Sequence, residues 1–326
     1  MPDPKSNLSI FNFKETQLRF LLRAGLFFLP VVLLFIIIEL LVLNIPASYI
    51  NRSAYFETEK DSIEIAVFGS SQVDTGLNPV YFDQPSISFA SKSQHHDLDN
   101  AIFTQTLHKM PKLKTVVFEL SYAHLEIPHN GADFWKNNVY LKYFEVNAFN
   151  RATYFKDKLI YISSPRLFSK QLTDYYIKKK DFSGFNKYGY DSLNYGFIFK
   201  NLNYNQDAID QLPIELSGME NLRVFDYNVP YFLSMIENVL NENLQVVICT
   251  MPLEKNYLKT REPSVLIRRD SILDLIGKRY AGVKIFRKEE DTLNYNPTDF
   301  RNHNHLNPQG AEKFTKELNE FLKASF

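Results

Sequence analysis

The hydrophobic pattern divides this chain into two unlike parts. From residue 24 to 43 it is apolar except for Glu39, and about 20 such residues are what a helix needs to cross a hydrocarbon core. The run predicts a transmembrane helix over 24–44. It is longer and bulkier than the apolar region of a cleaved signal, and Asn44-Ile45-Pro46 follow it instead of small residues, so it is expected to remain as an anchor. Beyond a polar stretch over 45–61, expected to be a linker, short apolar runs predict strands at 63–68, 86–90, 113–120, 244–250 and 282–286.

Helical periodicity falls between these runs. Val229, Phe232, Leu233, Ile236, Val239 and Leu240 share one face, and Ala311, Phe314, Thr315, Leu318, Phe321 and Leu322 share another. A weaker helix fits 95–109. The alternation predicts an α/β fold: a flavodoxin-like parallel sheet of about five strands with helices on both faces, and a site at the carboxyl ends of the strands. This domain is expected to occupy 62–326. The stretch from about 126 to 225, rich in Tyr, Asn and Lys, breaks the rhythm and is expected to be an insertion.

Charge changes the picture in two ways. The 37 Lys and Arg balance 37 Asp and Glu, so no field exists to gather nucleic acid, and no nucleic-acid partner is expected. Lys5, Lys14, Arg19 and Arg23 precede the apolar run, whereas Arg52 and Lys60 follow it among Glu57, Glu59 and Asp61. The excess of positive charge predicts that 1–23 is cytoplasmic and that the rest of this single-pass, membrane-anchored chain lies outside, in a periplasm or at the cell surface. Glu39 falls near the outer end, within reach of the interface or a partner helix.

Two segments carry candidate chemistry. Gly69-Ser70-Ser71-Gln72 follows the first strand, where glycine permits a tight turn and a serine is presented at the strand's carboxyl end; a serine there also serves as a helix cap. At 302–311, Asn307 suits an N-cap and Pro308 the first helical position. That fixes His305 on a rigid shoulder, as a general base requires. His95-His96 and His303-x-His305 raise the question of a metal, but no Cys or carboxylate cluster stands at zinc spacing, so no metal is expected. With no Gly-rich phosphate loop, no cofactor is expected either. Cys249, the only cysteine, lies in an apolar run and reads as a buried small hydrophobe.

Together, and in this order, the two segments resemble the SGNH (GDSL-type) hydrolase superfamily, in which a Gly-Asp-Ser-like block follows the first strand and an Asp-x-x-His block precedes the last helix. The His-Leu-Asn-x-x-Gly-Ala pattern of 305–311 is similar to that of its extracytoplasmic, membrane-anchored branch, which includes proteins of teichoic-acid D-alanyl transfer and alginate O-acetylation. The resemblance implies Ser71 as nucleophile, His305 as base, and Ser93, Gln94 and Gln72 at oxyanion or substrate-binding positions. It implies a serine-dependent O-acyl esterase or acyltransferase acting on a cell-envelope saccharide, with a multi-spanning membrane acyltransferase as partner. The chain departs from the pattern where the orienting aspartate should stand, at Asn302, for which Asp299 is the alternative. The Gly-x-Asn-Asp block after the third strand is also missing: the chain reads Phe118-Glu119-Leu120-Ser121-Tyr122. These departures leave a second expectation, an inactive SGNH-like domain that binds glycan or scaffolds an envelope complex.

Overall fold

Five short apolar runs become the sheet. The computed structural model describes residues 15–216 and 218–325. In it, β1 Ile65–Phe68, β2 Ser86–Ser88, β3 Thr115–Glu119, β4 Gln245–Thr250 and β5 Val283–Arg287 lie in the order β2-β1-β3-β4-β5. Every pairing is parallel, so the fold is α/β with the doubly wound order that switches direction between β1 and β3. Alternate side chains feed two cores. Ala66, Phe68, Val116, Phe118, Val246 and Ile248 point to one face, while Ile65, Val67, Val117, Val247 and Cys249 point to the other. Burial on both sides is why these strands read as continuous runs.

The helices, in chain order, are α1 Glu15–Leu43, α2 Ser48–Glu59, α3 Ser71–Gly76, α4 His96–Thr106, α5 Lys136–Phe144 and α6 Pro165–Leu172, then α7 Ile198–Asn201, α8 Gln206–Ile209, α9 Leu222–Asn241, α10 Lys255–Thr260, α11 Pro263–Arg279 and α12 Pro308–Ser325. α4, α9 and α11 bury Ile102, Phe232, Ile236 and Leu273 in the first core. α3 and α12 bury Val73, Phe314 and Leu318 in the second. The periodic faces expected in α9 and α12 are the ones that pack.

α1, at 29 residues, is long and apolar enough to cross a membrane; at 1.5 Å per residue it spans roughly 43 Å. It starts upstream of the apolar run and includes Arg19 and Arg23. Residues 1–14 of the expected cytoplasmic segment, with Lys5 and Lys14, lie outside the described residues. Its last turns are gripped by the domain. Val42 packs with Val139, Ile160 and Phe168, and the Glu39 carboxylate accepts the backbone N–H groups of Ile160 at 2.7 Å and Tyr161 at 2.8 Å. Glu39 is therefore buried in a two-pronged hydrogen bond to the chain itself.

The expected linker over 45–61 is instead largely helix α2, which buries Arg52, Tyr55 and Phe56. Tyr49, Arg52, Tyr55 and Phe56 fall on one helical face, a pattern hidden because the arginine points inward. The expected insertion holds only short helices, α5 to α8, and α9 already begins at Leu222. It packs against the end of α1 and against α2, so its aromatics brace that helix as well as lining the ground beside the site.

Candidate active site

Where β1 ends, the chain must turn beside a crowded neighbour. A Cβ on Gly69, whose φ is +154°, would stand 2.7 Å from Glu119 Oε2 and 2.9 Å from Glu119 Cβ, so only glycine fits. Glu119, fully buried at the end of β3, accepts the Ser70 N–H at 2.6 Å and the Ser70 hydroxyl at 3.0 Å. Burial pushes the Glu119 carboxyl above its ordinary range, and the hydrogen bonds from Ser70 oppose that shift. Ser70 also caps α3, accepting the Gln72 N–H at 3.4 Å. With Ser70 so occupied, Ser71 is the serine that α3 presents outward.

His305 reaches it from the far end of the chain. β6 Phe300–Asn302 and β7 His305–Leu306 form an antiparallel hairpin in which Asn302 stands opposite His305. Asn307 fixes the base of the hairpin: its Nδ2 donates to the Thr298 carbonyl at 2.7 Å, and its Oδ1 accepts the Gln309 and Gly310 N–H groups at 3.0 and 3.1 Å. A Cβ on Gly310 would lie 2.2 Å from the Asp299 carbonyl oxygen. The Asn-x-x-Gly spacing is thus a close-packing requirement of α12 on the loop that carries the histidine.

Ser71 Oγ lies 2.8 Å from His305 Nε2, and His305 Nδ1 lies 3.0 Å from Asn302 Oδ1. The same Oδ1 accepts the Asn304 N–H at 3.3 Å. A backbone N–H only donates, so the amide oxygen faces the ring, Nδ1 carries the proton, and the Nε2 lone pair meets the serine hydroxyl. Burial pulls the His305 pKa down to about 4, helped by Arg301 and Lys92 and opposed by Asp74. The imidazole is neutral near pH 7, the form a general base needs.

The remaining expected site residues divide. Asp299 does not touch His305: buried under the hairpin, its carboxylate accepts the Asn296 N–H at 3.0 Å and the Gln309 side chain at 3.4 Å. Between the two candidate orienting residues, the geometry selects Asn302. Gln94 is buried and committed, donating to the Phe89 carbonyl at 3.0 Å and Asp99 at 2.6 Å and accepting from Tyr140 at 2.7 Å. It shapes the loop and presents nothing to a ligand. Gln72 is buried in α3 with its Oε1 unpartnered. Ser93 is exposed, with φ +60°, in the left-handed region that favours glycine, and its carbonyl accepts Asn130 Nδ2 at 2.7 Å. Sequence reasoning missed Glu119, Asp74, Lys136 and Arg301 as neighbours of the site. Glu119 stood in the block judged absent, and its role needs the β1–β3 pairing to be visible.

Three imidazoles, those of His95, His96 and His124, come together with one nitrogen of each within 4.8 Å. They do not suit an ion. His95 uses both nitrogens, accepting the His96 N–H at 2.8 Å and donating to the His124 carbonyl at 2.8 Å. The His96 and His124 rings stack at 4.1 Å with planes 26° apart, which keeps their lone pairs in nearly parallel planes, unlike the converging donors of tetrahedral ligation, and His96 Nε2 donates to the Glu119 carbonyl at 3.2 Å. His303 turns its ring edge onto Phe199 at 5.2 Å and is buried, away from any shared role with His305.

No family model matches the chain, and no curated protein matches it.

Proposed function

We propose that this chain is a serine-dependent O-acyl esterase or acyltransferase of SGNH type, tethered by α1 and working outside the cytoplasm on a cell-envelope glycan or lipid-linked saccharide. The observation that carries the reading is the relay Ser71–His305–Asn302, at 2.8 and 3.0 Å, assembled from both ends of the domain at the carboxyl edge of a parallel sheet. In the first half-reaction Ser71 Oγ attacks an acyl carbonyl while His305 Nε2 takes the hydroxyl proton. The tetrahedral oxyanion collapses, the ester C–O bond breaks, and His305 returns the proton to the departing alkoxide. Water or an acceptor hydroxyl, deprotonated by His305, then takes the acyl group from Ser71. The backbone N–H groups of Ser71 and Ser93 are the oxyanion donors in this reading.

Asn302 sets the tautomer but brings no charge. Exchanging the carboxylate of such a triad for an amide costs about 10⁴ in rate in a serine protease, which makes this a slow site. The same residue favours a second reading, an SGNH-like domain that binds envelope glycan or scaffolds an acylation complex with a multi-spanning partner. A p-nitrophenyl ester separates the two: the enzyme releases one equivalent of p-nitrophenol in a burst as Ser71 is acylated, and a binding domain releases none above the Ser71→Ala background. For the topology, Ala54→Cys on the exposed side of α2 is expected to react with an impermeant maleimide in intact cells. Reaction only after lysis would reverse it.

A further inference from the structure

Beside the relay lies a cavity of about 460 Å³, within the roughly 300–1,000 Å³ of small-molecule sites. Its lining includes Asp74 and Thr75, one turn beyond Ser71 on α3, and Arg301, next to Asn302. The lining also includes Pro46, three residues past Leu43, where α1 ends. The cavity therefore runs from the immediate neighbours of the relay, whose own three side chains do not line it, to the root of α1.

Its two ends differ in chemistry. Toward the root of α1 and the insertion the walls are Tyr49, Trp135, Val139, Leu167, Phe182 and Phe185. Toward the relay stand Arg52, Lys92, Lys136 and Arg301, four cations against the two carboxylates Asp74 and Asp191. Arg52 is paired with Asp74 at 3.3 Å. Lys136, only 9% exposed, donates to Ser91 Oγ at 2.5 Å and to the Lys92 carbonyl, and Arg301 donates to Asn194 Oδ1 at 2.7 Å. Neither Lys136, which is buried, nor Arg301, which is partly buried, forms an ion pair among the described residues: Asp74 acts on both and Asp191 on Arg301 only from farther off, and a buried cation so weakly balanced is destabilising. Burial pulls the Lys136 pKa down to about 8, a shift that a bound anion reverses.

We propose that the cavity binds an anionic amphiphile from the membrane, with a phosphate head on Lys136, Arg301 and Lys92 and a hydrocarbon chain along the aromatic wall. Identifying this molecule as the substrate of Ser71 rests on the function proposed above; the binding itself does not. Guanidinium and ammonium groups are the side chains that recognise phosphate, the apolar walls match a chain, and continuity with α1 places both at the bilayer surface.

Trp135 is the chain's only tryptophan and lines the cavity, so its emission reports occupancy. Full-length Ser71→Ala protein in phosphatidylcholine nanodiscs is titrated with dodecyl phosphate, inorganic phosphate and dodecanol. The expected result is a saturable change with dodecyl phosphate, at least tenfold weaker binding of the other two, a tenfold loss in Lys136→Met and in Arg301→Gln, and about threefold in Lys92→Gln, whose exposed side chain is not needed for folding. An equal response to dodecanol, an equal response to inorganic phosphate, no response, or full affinity in all three charge variants overturns the proposal. In the wild type, dodecyl phosphate should also slow fluorophosphonate labelling of Ser71 at least fivefold. Saturable binding without slowing overturns the substrate assignment, whereas absence of labelling altogether defeats the serine-hydrolase reading and leaves the titration standing.

Discussion

Two groups of histidines sit on opposite terms with the same sheet. His305 stands at its carboxyl edge, partly exposed, with both ring nitrogens spoken for and the second of them meeting a hydroxyl at 2.8 Å. His96 and His124 lie inside, stacked on each other and, for His96, on Phe232 at 4.4 Å, with the Nδ1 of each unpartnered. Burial depresses the pKa in both groups. What differs is direction. The inner rings pack flat and neutral, with His96 Nε2 donating to the main-chain carbonyl of Glu119 at 3.2 Å, whereas the outer ring ends a chain of side-chain hydrogen bonds that points at a serine hydroxyl. A depressed pKa thus does not distinguish the two groups; the geometry at the second nitrogen does.

The sharpest way to break this contrast is to remove one ring from each group. His305→Ala should lower ester hydrolysis by at least about 10³-fold, as loss of a triad base does, with melting temperature nearly unchanged. His124→Gln should leave the rate within about threefold and cost up to about 2 kcal/mol of stability, the range for a disturbed buried site. The reverse outcome, a large rate loss at His124 and none at His305, would exchange the roles assigned to the two groups.

Charging the relay sharpens the comparison next. Asn302→Asp places a carboxylate against Nδ1, which stabilises the imidazolium and should raise the rate at least tenfold. The sign on the pH profile follows: with His305 held near 4, wild-type activity falls only as pH drops toward 4. The carboxylate raises that pKa, so the acid limb of the variant moves to higher pH. Asp299→Ala, removing a carboxylate that caps the loop beneath, should leave the acid limb in place.

The smallest effect concerns the inner rings and acid. His95, buried, is held at about 4, and an unfolded histidine titrates near 6.5. Between those values the unfolded chain binds the extra proton, so this group takes nothing from stability above about pH 6.5 and lowers it as pH falls below. From pH 6.5 to 5 the loss approaches ~2 kcal/mol. Asp99, whose carboxyl burial drives well above its usual range, works with the opposite sign. The test is therefore a difference: His95→Gln should show a shallower fall in melting temperature between pH 7 and 5 than the wild type.

Much of the sheet was legible because strands buried on both faces advertise themselves as apolar runs. Ser71 and His305 were legible because glycine and N-cap chemistry on either side mark where strands end and helices begin. Helix α2 was not, since its inward Arg52, bonded to the Ala90 carbonyl at 2.7 Å and to Asp74, reads as a polar residue in a polar stretch. Glu119 was passed over for a similar reason: a carboxylate inside a sheet gains its meaning from Ser70, 49 positions earlier in the chain. The choice between Asn302 and Asp299 also lay beyond the sequence, because both sit on one loop and only the hairpin register sets Asn302 opposite His305.

In the proposed mechanism His305 activates Ser71 as a nucleophile. The most direct test of this step is peptide mapping by mass spectrometry after exposure of the folded, full-length protein to a fluorophosphonate. The expected result is a single adduct on Ser71 in the wild type, faster labelling in Asn302→Asp, and none in Ser71→Ala or His305→Ala. An adduct on Ser70 or another serine, or no adduct in correctly folded wild-type protein, would contradict it.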